Sequence, residues 1–156
     1  MANTYTQIYI QTVFAVEGRQ SLISKAHKVE IYKYMTGVIQ NQKQKMMAIN
    51  GMPDHVHILI GLSPDIALSD LVKDVIVASS NLINDKRWVR GRFSWQRGFG
   101  AFSYSRSQVP IVARYIENQE QHHAKRSFRD EYIALLKKFD VDYDPRYLFT
   151  FTHDAK

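Results

Sequence analysis

Two histidines separated by a single valine, His55-Val56-His57, lead into the apolar run Ile58-Leu59-Ile60. Side chains on a β-strand alternate faces, so His55 and His57 share one surface while Val56 and Ile58 point the other way into a core. Imidazole is the commonest protein metal ligand, and each ring of such a pair can offer one nitrogen to a divalent ion without bending the backbone. Pro53 and Asp54 precede the run and read as the turn that starts the strand. Histidine pairs at this spacing also occur on ordinary half-exposed strands, so metal chemistry needs a second set of residues.

Tyr115 and Gln119, four apart in Ala113-Arg114-Tyr115-Ile116-Glu117-Asn118-Gln119, supply one if the segment is helical, because they then project from one face a turn apart. A phenol, whose pKa is ordinarily about 10, is a nucleophile that needs help to lose its proton. A carboxamide oxygen is a neutral ligand that leaves a metal strongly Lewis acidic. A boundary tyrosine and a solvated glutamine are the plainer alternative. His122 and His123 compete with Gln119 as third ligand and rank behind it, since they fall near the helix end where fraying loosens geometry.

The elements that must position these residues follow from periodicity. Thr4 to Val16 reads as a long first strand, and Lys25 to Gln42 as an amphipathic helix through Val29, Tyr32, Met35, Val38 and Ile39. Lys45 to Gly51 and His55 to Leu62 read as a hairpin, and Ala67 to Asn84 as a second helix. A strand is expected around Phe99 to Tyr104, then a third helix from Ser105 or Ser107 to about His123, with Pro110 tolerated in its first turn. Ser127, with Asp130 three residues later, opens a fourth helix, Phe128 to Lys138. The tail, Asp144 to Phe151, has aromatic anchors and no clear period. This order predicts an α+β fold, a ferredoxin-like split βαβ antiparallel sheet with helices packed on one face.

At 156 residues and 45% hydrophobic, the chain suits one domain over 1–156, with a core of about 4–124 and a C-terminal helix and tail of about 127–151. Twenty-one Lys+Arg against 15 Asp+Glu give net charge +6 and favour an anionic partner, nucleic acid ahead of a membrane surface. With no cysteine, thiolate ligands and disulfides are excluded. The start has no basic, apolar leader and no apolar run approaches the ~20 residues that span a bilayer, so a soluble cytoplasmic protein is expected. Lys86 to Arg106 carries six basic residues and no acid, interleaved with Trp88, Phe93, Trp95, Phe99, Phe102 and Tyr104. That pattern suits single-stranded nucleic acid, whose bases stack on rings while Arg and Lys follow phosphates. Arg87, Arg90 and Arg92 are the strongest group, with Arg97 beside them, although most of the aromatics are expected to be core.

Taken together, Gly51-Met52-Pro53-Asp54-His55-Val56-His57, Phe93-Ser94-Trp95-Gln96, Gly100-Ala101-Phe102-Ser103, Tyr115-Ile116-Glu117-Asn118-Gln119 and Tyr147-Leu148-Phe149 resemble, in order and over nearly the whole chain, the single-tyrosine HUH transposases of the smallest bacterial insertion sequences, the IS-two-hundred type. The resemblance implies that His55 and His57 are the HUH metal ligands, Gln119 the third ligand and Tyr115 the nucleophile. It also implies a homodimer, in which the tyrosine helix of one subunit often completes the metal site of the other, acting on single-stranded DNA with hairpins at the element's ends. The expected reaction is attack of Tyr115 on the scissile phosphate, giving a 5′-phosphotyrosine and a free 3′-hydroxyl, then strand transfer with no nucleotide cofactor. Two imidazoles favour Mn²⁺ or Zn²⁺, but the resemblance tips the expectation to Mg²⁺ with Mn²⁺ as substitute. Rival readings are a non-catalytic nucleic-acid-binding module, a replication or conjugative nickase with the same metal pair, and a Zn²⁺ hydrolase using His55, His57 and His123.

Overall fold

The computed structural model describes residues 3–148. Four strands, β1 (Tyr9–Ala15), β2 (Lys45–Met52), β3 (His55–Gly61) and β4 (Gly100–Tyr104), form one antiparallel sheet in the order β2-β3-β1-β4. Among the described residues five α-helices complete it: α1 (Lys28–Asn41), α2 (Leu68–Lys86), α3 (Val109–Glu117), α4 (Gln119–His123) and α5 (Phe128–Lys138). This is the expected α+β, ferredoxin-like topology. β1 is shorter than its composition suggests because its ladder ends where its neighbours end, with Tyr9 opposite Gly61 on one side and Tyr104 on the other. The tail forms a 3-10 turn over Pro145–Tyr147, and Phe149 to Phe151 lie outside the described residues.

The expectation of helices on a single face needs correction. α1 and α2 bury Ile31, Met35, Ile39, Leu71, Val75 and Ile83 against Phe14, Val56, Ile58 and Ile60. The opposite face carries its own core, in which Val109, Val112 and Ile116 of α3 and Phe128, Tyr132 and Leu135 of α5 cover Val13, Ala15, Leu59, Phe102 and Tyr104. The reason is visible in β3, which is buried at every position from His55 to Ile60. A strand paired on both edges and buried on both faces must be covered twice.

The histidines are held by the β2–β3 hairpin, which requires a glycine at one place. A Cβ on Gly51 would stand 2.2 Å from the backbone oxygen of His55 and 2.9 Å from Val56 Cα, closer than backbone can yield without shifting the strand. Gly51→Ala is therefore expected to destabilise the fold by at least about 1–3 kcal/mol, the range for overpacking a filled site, measured as a fall in the urea midpoint.

Candidate active site

β3 turns His55 and His57 onto the face covered by α3, α4 and α5, where both are 0% exposed. Phe128 at the start of α5 stacks on the His55 ring with centroids 3.9 Å apart and planes within 9°. Ser127 caps α5 by accepting from the Asp130 backbone N–H. The apolar stripe of that helix, Phe128, Tyr132 and Leu135, includes an acid at the intervening position, Glu131, which is 1% exposed.

Glu131 is the centre of the site. Its Oε1 lies 2.9 Å from His57 Nε2, 3.1 Å from His123 Nε2 and 3.6 Å from His55 Nε2. Its Oε2 accepts from the Tyr115 hydroxyl and from Gln119 Nε2 at 3.2 Å. Gln119 Oε1 is 3.2 Å from His55 Nε2, and His55 Nδ1 is 2.7 Å from Asp54 Oδ1. Thus Tyr115, Gln119, His55 and His57 meet within one chain. His123, ranked second from sequence, also reaches the cluster, through the carboxylate, and His122 lies against the Tyr115 ring at 4.3 Å.

Tyr115 and Gln119 do not sit on one continuous helix. The helix expected to run to about His123 breaks at Asn118, whose ψ of 31° departs from the helical value, between α3 and α4. Asn50 of β2 supplies the cause, donating from Nδ2 to the Glu117 carbonyl at 2.8 Å, an acceptor that the next turn of helix would otherwise use.

Charge follows geometry. Burial works against charge on Glu131, but the hydrogen bonds of His123, His55 and His57 outweigh it and hold the carboxyl well below the usual carboxylate range. Burial lowers His57 more than Glu131 raises it, whereas on His55 the same burial is overcome by Asp54 and Glu131, for a net upward shift. Burial, reinforced by the Glu131 charge, pushes the Tyr115 hydroxyl above the ordinary phenol range, so here the phenol keeps its proton.

One imidazole nitrogen of His57 faces Glu131 and the other faces Gln11 of β1, whose Nε2 is 2.9 Å from His57 Nδ1 and whose Oε1 accepts from the Tyr104 hydroxyl at 2.7 Å. A half-turn of the Gln11 amide would let Oε1 receive a proton from Nδ1 and free Nε2 of His57 to bind a cation, because the two amide ends have the same shape. The donor set fits a divalent ion: His55, His57 and Glu131 each offer one atom, all within 4.8 Å of one another, and the Gln119 oxygen stands beside them.

Sequence reasoning missed Glu131, Gln11 and Tyr104. For Glu131 the signal was an acid inside the apolar stripe of the fourth expected helix, and for Gln11 an amide two residues before Val13 on an inward-facing register. The basic segment divides as well. Arg87, Arg90, Arg92 and Arg97 are exposed, while Phe93, Trp95, Phe102 and Tyr104 are buried and cannot reach bases. Asn84 of α2 clamps the segment, giving and receiving backbone hydrogen bonds with Phe93 at 3.0 and 2.7 Å. Among the described residues, no helix is long and apolar enough to cross a membrane.

A four-stranded ferredoxin-like sheet whose inner strand lifts two histidines against a helix-borne tyrosine defines an α+β protein with its site between sheet and helices. Residues 4–119 match the family described as Transposase IS200 like, and the chain belongs to that family, which makes it a DNA-cleaving enzyme of the transposase class. Two solved structures share the fold. A candidate transposase from Deinococcus radiodurans R1 is 20% identical with TM-score 0.60, covering 75% of this chain and 94% of its own. A REP-associated tyrosine transposase bound to a REP hairpin is 14% identical with TM-score 0.61, covering 91% of this chain and 90% of its own. No curated protein matches. The family match stops at Gln119, so Glu131 and its helix lie beyond it.

Gln11→Leu keeps the volume but leaves His57 Nδ1 and the Tyr104 hydroxyl buried without that partner. The expected loss is about 2 kcal/mol of unfolding free energy, read from denaturant titration of the metal-free protein.

Proposed function

We propose that this transposase cleaves and rejoins single-stranded DNA at the ends of an insertion sequence through a 5′-phosphotyrosine at Tyr115. It would work with a divalent ion, Mg²⁺ replaceable by Mn²⁺, held by His55, His57 and Gln119, and without a nucleotide cofactor. The observation that carries this reading is the convergence of Tyr115 and Gln119 on the His55–His57 pair, built from residues more than fifty positions apart. When bound, the ion supplies Lewis acidity that neutralises charge on the scissile phosphate. Tyr115 Oη attacks phosphorus, the bond to the 3′-oxygen breaks, and the phenolic proton is balanced by the proton gained on the released 3′-hydroxyl. The tyrosyl ester keeps the phosphodiester's free energy, so another 3′-hydroxyl can reverse the step and join strands.

Arg87, Arg90, Arg92 and Arg97 bind the phosphates in this reading, because they are exposed on a segment that Asn84 fixes to the fold. A hairpin at the element's end is the proposed DNA partner, by likeness to the structural neighbour that carries one. The working form is proposed to be a homodimer. A hydrolase using water in place of Tyr115 is the second reading, favoured by His123, whose Nε2 is 3.1 Å from Glu131.

Tyr115→Phe is expected to abolish the covalent protein–DNA adduct on denaturing gels with oligonucleotides carrying the element's own ends. A persisting adduct would sink the assignment, and cleavage that continues without any adduct would favour the hydrolase. Replacing Arg87, Arg90 and Arg92 together by Ala is expected to weaken single-strand binding and to flatten its salt dependence, the log–log slope falling by roughly 0.7 for each phosphate that is no longer neutralised. Unchanged anisotropy titrations across salt would exclude these residues from the DNA-binding surface.

A further inference from the structure

We propose that Glu131 is itself a ligand of the divalent ion through Oε1, so that the C-terminal helix α5 completes a metal site within a single chain; this rests on the metal reading above. Spacing is the first support. Ligands held about 2.1 Å from one cation stand about 3.0 Å apart at right angles and about 3.4 Å apart at tetrahedral angles. The observed separations are 2.9 Å from Glu131 Oε1 to His57 Nε2, 3.6 Å to His55 Nε2, and 3.2 Å between His55 Nε2 and Gln119 Oε1.

Burial is the second support. The carboxylate is 1% exposed, and the His57, His123, Tyr115 and Gln119 donors hold it in place beside the two imidazoles, where a cation would meet it without rearrangement of the helix. α5 delivers it on a fixed element, capped by Ser127 and seated by the Phe128 stack on His55. Charge is the third. Two imidazoles and an amide leave a divalent ion with its full charge, whereas one carboxylate halves it and adds a hard oxygen of the kind Mg²⁺ and Mn²⁺ prefer. The other oxygen of the same carboxylate accepts from Tyr115, so one side chain ties the ion's position to that of the phenol.

The opposite role for Glu131 is a stopper that fills the cation's place and must be displaced by it. The two roles differ in sign, and Mn²⁺ binding to the EDTA-stripped full chain without DNA separates them, read by calorimetry or by the paramagnetic resonance of free Mn²⁺. Glu131→Gln is expected to lower Mn²⁺ affinity at least 10-fold, and His57→Ala to lower it as much or more. Glu131→Asp keeps the charge but withdraws the oxygen by one methylene, and an affinity loss of several-fold is expected there as well, which preserves the test should the glutamine variant fold poorly. Affinity unchanged or increased in both Glu131 variants, with His57→Ala still losing it, would overturn the inference and leave the histidine site standing. Unchanged affinity in His57→Ala would remove the metal reading and this inference together.

Discussion

One buried carboxylate organises the whole second face of the sheet. Glu131 gathers an imidazole from β3, a phenol from α3, and an amide and a second imidazole from α4. In a low-dielectric interior the fully buried members, Glu131, His57 and Gln119, would be disfavoured alone, and they help to satisfy one another. The same electrostatics keep the acid ionised and the tyrosine protonated, so the cluster is a set of matched partners rather than a row of independent residues.

Its dependence on packing explains the two-sided core. β1 and β3 are the inner strands, and β3 is apolar toward α1 and α2 but carries histidines toward α3, α4 and α5. Covering those histidines excludes water and requires polar partners, which Gln11, Asp54 and Glu131 provide, with Tyr104 in turn donating to Gln11. Residues 4–119 carry the family likeness and include α3, while the residues after Gln119 complete the cover with α5.

What the sequence made legible was local. The β-alternation around His55-Val56-His57, the helical spacing through Leu71 and Val75, and the Ser127 cap each act over a few residues, and the elements form where those patterns lie. The strand and helix order then fixed the fold class. The remainder depended on partners distant in the chain. Glu131 meets His57 across 74 residues, Asn50 breaks the helix at Glu117 across 67, and Gln11 reaches His57 across 46. No period records such encounters. In the basic segment the expectation that most aromatics are core holds, since the arginines face water while Phe93, Trp95, Phe102 and Tyr104 are buried.

The cap at Ser127 also sets how the chain can vary in length between relatives. Helical geometry turns each added residue by about 100°, so an insertion between Ser127 and Glu131 would swing the carboxylate off the histidines altogether. An insertion among Ala124, Lys125 and Arg126 leaves the phase of α5 to its own cap. Across an evolving lineage, gaps would therefore be purged on one side of a single serine and accepted on the other.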